Sequence, residues 1–286
     1  MAVEIKPLLI ERVTSDPSKS NQAGLKRIFF RVKNWITYEL SLIIFLFLWE
    51  AAPRLGVVKQ TFIAPPSVVL ITIWEMIKSG ELFRHVGVSF ERAIIGFILA
   101  TLVAIPLGFF LGGWYKTFKR VATPLLRLLQ ELNPFALFPI FMMLFGIGEI
   151  SKVAMIFWVC QWPILFHTIN GVESVDPLLI KSARSMGIDK KTLIFKVILP
   201  SALPNIFTGL KIGSATAFFM LIAAEMIGAS SGLGWLVWNA QINFQIPKLF
   251  AASVIISILG LLINYLFIRL ERRLLGWKEA TFGQRN

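Results

Sequence analysis

Few residues of this chain could carry chemistry, and they do not cluster. The two histidines, His85 and His167, lie far apart, and the single cysteine, Cys160, sits inside an apolar run. No histidine or cysteine spacing matches a metal site, and one cysteine excludes an intramolecular disulfide framework. The phosphate-binding pattern G-x-x-x-x-G-K-[ST] is absent, so the chain is not expected to bind ATP in the usual way. What remains are ionisable and amide groups within apolar runs: Arg127, Glu131, Asn133, Gln161, Asn205, Lys211 and Glu225. In a membrane such groups mark a solute path by default. Arg127 and Glu131 stand four apart, close enough to pair on one helix face, where they either line a path or neutralise each other. Lys211 lies within reach of an interface, and snorkelling accounts for it. Glu225, nearer the other end of its run, is a candidate for a gate or a docking contact.

These groups are carried by membrane-spanning helices. A hydrophobic fraction of 56% exceeds the roughly 45–50% of soluble domains, and the mean hydropathy is +0.72. The net charge of +13 would be compatible with nucleic acid, but the basic residues are grouped between apolar runs, so no nucleic-acid partner is expected. Six spans are expected: Trp35–Ala52, Glu91–Gly113, Val121–Phe145, Val153–Val172, Asn205–Ile227 and Leu249–Ile268. The first is short, bounded by Glu39 and Glu50, and Pro53 ends it. Pro65-Pro66-Ser67 starts a short helix, Val68–Lys78, expected to lie flat on the outer surface. The basic residues fall mainly in the N-terminal tail, in Trp114–Arg120, in the stretch after the fourth span and at the C-terminus. The positive-inside rule then places both termini in the cytoplasm. Residues 1–34 form the N-terminal tail, 35–272 the membrane domain and 273–286 the C-terminal tail. The outer Gly228–Asn243 stretch is either an ordinary loop or a short re-entrant element.

One polar segment, about 173–200, separates the fourth and fifth spans. Asp176 is placed to cap a helix with Pro177 at its first position. Leu179, Ala183 and Met186 recur at the spacing of one helical face. Gly187 stops that helix, and Asp189 can cap a second one, after which Pro200 and Pro204 break the pattern. The segment reads either as an interfacial loop facing headgroups or as a docking element for a cytosolic partner.

The segment resembles the cytoplasmic coupling loop of binding-protein-dependent ABC importer permeases. Lys181-Ser182-Ala183, Gly187 and Ile198-Leu199-Pro200 match its E-A-A, G and I-x-L-P landmarks. Lys181 departs from the acidic residue that often opens the motif. Ile63-Ala64-Pro65-Pro66-Ser67, Ser89-Phe90-Glu91-Arg92, Ile105-Pro106-Leu107-Gly108 and Phe145-Gly146-Ile147-Gly148-Glu149 are similar to motifs of the nitrate, sulfonate, taurine and bicarbonate group. So are Thr208–Gly213 and Ala223–Gly228.

The resemblance implies an all-α polytopic fold, the type I importer transmembrane domain, in the cell's inner or plasma membrane. It implies a permease rather than an enzyme, with ATP and Mg bound by two cytosolic ATPase subunits, a second permease copy, and an extracytoplasmic solute-binding protein. Lys181, Ser182, Ala183, Arg184, Gly187, Asp189, Leu199 and Pro200 would then couple to the ATPase. Arg127, Glu131, Asn133, Gln161 and Glu225 would lie along the translocation path. Two alternatives stay open: an ATP-independent secondary transporter, although no internal repeat is visible, and a membrane-embedded enzyme, for which no convergent catalytic set is present.

Overall fold

The computed structural model describes residues 40, 41, 43–59, 61–113 and 116–276. The expected tail 1–34 lies outside these residues, as do 277–286 of the C-terminal tail and part of the first expected span. Two compact units divide at Gln60. The first holds helix α1, described at residues 40, 41 and 43–54, which runs one residue past Pro53 and carries an ion pair between Arg54 and Glu50 at 2.6 Å.

The second unit is all helix and connecting turns among its described residues: α2 (Pro66–Lys78), α3 (Glu81–Gly113), α4 (Lys116–Gln130), α5 (Pro134–Phe145), α6 (Glu149–Glu173), α7 (Pro177–Ser185), α8 (Lys190–Leu193), α9 (Leu199–Gly228), α10 (Leu233–Ile242) and α11 (Ile246–Leu274). Among the described residues, four helical runs are long and apolar enough to cross a membrane: α3, α6, the run Lys190–Gly228, and α11. A fifth is possible if α4 and α5 count together, although they are bent by 92°.

That bend divides the third expected span, Val121–Phe145, into two helices. Pro134 disfavours helical backbone at Asn133, which is extended, and the Asn133 side chain instead accepts a hydrogen bond from the Phe135 amide at 2.9 Å. One helix therefore ends at Gln130 and another starts in a new direction.

α6 lies at the centre, packed against α3 on one side and α9 on the other. Close approach depends on small residues. Gly96, Ala100, Ala104 and Gly108 recur every fourth position on α3, and all are buried. A Cβ added to Gly108 would lie 2.6 Å from the Thr168 Cβ, and one on Gly209 of α9 would lie 2.7 Å from the His167 Cβ. Between membrane helices, where no hydrophobic force drives association, such contacts supply the packing. On the opposite face of α3, Ile94, Ile98 and Leu102 are exposed, as lipid contact requires. A second cluster joins Val69 and Met76 of α2 to Leu233 and Leu236 of α10 and Ala251 and Ile255 of α11.

Pro200 and Pro204 do not break the chain as the sequence suggested. A π-helical turn, Ile194–Ile198, leads directly into α9. Pro200 occupies the first turn of α9, where its missing N–H is tolerated, and the widened turn before it absorbs its ring. Pro204 sits inside the helix. The segment after Gly187 is thus mechanically continuous with the long apolar helix.

Candidate functional site

The polar segment folds as two short helices on a buried foot. Asp176 accepts from the Leu178 amide at 2.8 Å, and Pro177 opens α7. Gly187 turns the chain with φ of +74°, a region that L side chains rarely adopt. Asp189 then accepts from the amides of Lys191 at 3.1 Å and Thr192 at 3.4 Å. The Thr192 hydroxyl, with the Thr192 and Lys191 amides behind it, holds the Asp189 carboxyl below the usual carboxylate range.

The face expected from the i, i+4, i+7 spacing is not the one that packs. Ala183 is buried with Val175, Leu193, Ile198 and Ala202, whereas Leu179 and Met186 point outward. With Leu178 and Phe195 they leave four large apolar side chains exposed around a basic surface that includes Lys181, Arg184, Lys190 and Lys191. Ser182 is exposed as well, while Leu199 and Pro200 are half-buried where the π turn meets α9. An ion pair between Lys119 of α4 and Glu173 marks the start of the segment.

The residues expected along a solute path do not assemble. Arg127 and Glu131 are exposed at the end of α4, Asn133 caps α5, and Gln161 is half-buried on α6. No side-chain hydrogen bond or ion pair among the described residues joins any two of these with each other or with Glu225.

Glu225 belongs instead to a buried network that the sequence reading missed. Its carboxylate is 0% exposed and accepts from the Ser89 hydroxyl at 2.8 Å, from Arg92 Nη1 at 2.8 Å and from the Gly234 amide at 2.9 Å. Arg92 Nη1 also donates to the Ser231 carbonyl at 2.7 Å, while Nε and Nη2 grip both oxygens of Glu149. Lys152, also buried, donates to the Gly148 carbonyl at 2.9 Å and stands 3.7 Å from Glu149. The Leu233 amide donates to Ser89 Oγ, and the Gly232 amide to His85 Nδ1. Gly232 has φ of +122°, and a Cβ there would lie 2.3 Å from the Glu225 carboxylate. A polar cleft of about 470 Å³ adjoins this end, lined by Ser79, Glu81, Arg84, His85, Ser230 and Trp235.

Three of the family-like strings, Ser89–Arg92, Phe145–Glu149 and Ala223–Gly228, meet in this network. A signal was therefore present, because each string carries one ionisable partner.

The family described as binding-protein-dependent transport system inner membrane component matches residues 104–276. The chain belongs to that family. It is 33% identical over 273 residues to SsuC of Bacillus subtilis (strain 168), named as an aliphatic sulfonates transport permease; the match covers 96% of this chain and 99% of the relative. It is 31% identical over 242 residues to the taurine transport system permease protein TauC of Escherichia coli (strain K12), covering 83% and 88%. Among solved structures, the inward-facing MetNI methionine ABC transporter shares the fold with a TM-score of 0.62 at 19% identity, covering 69% of this chain and 97% of the other. This family member is a multi-pass membrane protein of the nitrate, sulfonate and taurine permease group.

Proposed function

We infer that this chain is the membrane-spanning permease subunit of an ATP-driven importer for a small oxyanion such as a sulfonate, taurine, nitrate or bicarbonate. ATP and Mg are bound by two cytosolic ATPase subunits, an extracytoplasmic protein delivers the solute, and two copies of this chain form the path. Both termini and the 173–200 segment face the cytoplasm. Arg127, Glu131 and Asn133, at the bend between α4 and α5, are the candidates for contact with the solute.

The observation that carries this reading is the segment 177–198. It offers exposed Leu178, Leu179, Met186 and Phe195 beside basic residues, and its part after the Gly187 turn, residues 190–198, runs without interruption into α9. A push on that surface would move a long transmembrane helix as one body. The names of the relatives support the solute class, since SsuC and TauC are named for aliphatic sulfonates and taurine. The test is uptake of labelled taurine into vesicles that contain the chain, the ATPase and the binding protein. Uptake that needs internal ATP and stops when the ATPase is left out is the expected result. Uptake driven by an ion gradient without any ATPase would overturn the reading.

A further inference from the structure

Arg92 has two faces with different partners. Its Nη1 is committed inward, to Glu225 and to the Ser231 carbonyl, in surroundings where Arg92 and Glu225 side chains are 3% and 0% exposed. Its Nε and Nη2 face outward, to Glu149, whose side chain is 62% exposed. Lys152, with a side chain only 4% exposed, lies beside the same carboxylate. The two buried cations thus converge on one exposed anionic group supplied by the chain itself.

The backbone under Glu149 is anchored independently of its carboxylate. Lys152 Nζ and Ser151 Oγ both donate to the Gly148 carbonyl, at 2.9 and 3.0 Å. The Glu149 side chain can therefore swing into solvent while Lys152 stays in place. Arg92 left without its outer partner would be a buried charge in part unpaired, which is unfavourable. Departure of Glu149 therefore requires an incoming anion. A sulfonate, sulfate or carboxylate presents the two coplanar oxygens that a guanidinium fork grips, and Lys152 adds a point charge.

We propose that Arg92 and Lys152 form a seat for a small oxyanion, and that the Glu149 carboxylate is an exchangeable occupant of that seat. The seat lies at the end of α3, α6 and α9 remote from the 173–200 segment. The α4–α5 bend named above plays no part in it. The solute class fits the proposed function, but the site stands on its own geometry, and its test requires neither ATP nor a partner protein.

The full-length chain, purified in detergent, is titrated with sodium sulfate and sodium methanesulfonate against sodium chloride at matched ionic strength. Glu149→Gln is expected to bind these oxyanions at least about tenfold more tightly than the unaltered chain by calorimetry. Adding Lys152→Met to that variant should remove most of the gain. In the unaltered chain, carbodiimide labelling of Glu149 should speed up as sulfate is added, because the displaced carboxylate becomes free to react. Oxyanion binding in Glu149→Gln no tighter than in the parent, or indifferent to Lys152, overturns the proposal. If that variant does not fold, a labelling rate unmoved by sulfate overturns it instead. Loss of transport with oxyanion binding intact would count only against the proposed function.

Discussion

Arg92 Nη1 and Glu225 Oε1 lie 2.8 Å apart although 133 residues separate them in the chain. The pair ties the N-terminal part of α3 to the end of α9, and Ser231 and Gly234 fasten the α9–α10 connection to the same two side chains. With Glu149 attached, three helices and one turn converge on a single guanidinium.

Removing one partner leaves the other buried and uncompensated. Arg92→Ala is expected to destabilise the chain by about 3–5 kcal/mol, read as a lowered thermal midpoint in detergent. Replacing both, as Arg92→Met with Glu225→Leu, should recover much of that loss. A double variant as unstable as the single would refute the ion-pair account.

Gly232 and Gly187 separate packing from docking. At Gly232, an alanine Cβ would meet the Glu225 carboxylate, so Gly232→Ala should unfold at lower temperature and lose transport together. Gly187 has nothing within 4 Å of a Cβ position, so Gly187→Ala carries only the left-handed backbone cost of roughly 1–2 kcal/mol. Gly187→Trp places a large ring in that open space. It should remain in the membrane with a melting midpoint close to that of Gly187→Ala and lose ATP-dependent uptake; normal uptake would remove Gly187 from the coupling surface.

The α3–α6 contact tolerates no bulk. Gly108→Val should cost on the order of 1–3 kcal/mol through overpacking against Thr168. Ile98→Val, on the exposed face of α3, should change stability by far less. Comparing the two melting midpoints checks which face is packed.

The start of α8 carries a pH dependence of known sign. Hydrogen bonds lower the Asp189 pKa, so this cap supports the helix above the unfolded-state value of about 3.9 and is lost as pH falls through the lower folded-state value. Asp189→Asn keeps an acceptor without a titrating group. Hydrogen exchange across 190–193 should therefore accelerate below pH ~3.9 in the parent chain, relative to the asparagine variant.

Much of this molecule was legible before any coordinates. Hydropathy marked the runs that became α3, α6, α9 and α11, and the caps at Asp176, Gly187 and Asp189 lie where residue type placed them. Those signals are local: a cap, a left-handed glycine or an apolar run depends on a few neighbouring residues. The side of α7 that packs was not available in this way, because period alone names a stripe without naming its partner. Ala183 turned inward while Leu179 and Met186 turned out. The fate of Pro200 was likewise decided by the preceding π turn rather than by the proline itself. Above all, Glu225 read as one more charge in a span until folding set Ser89, Arg92 and Gly234 around it. Pairing of buried charges is a property of helices brought side by side, and residues so distant in the chain become neighbours only when the whole bundle closes.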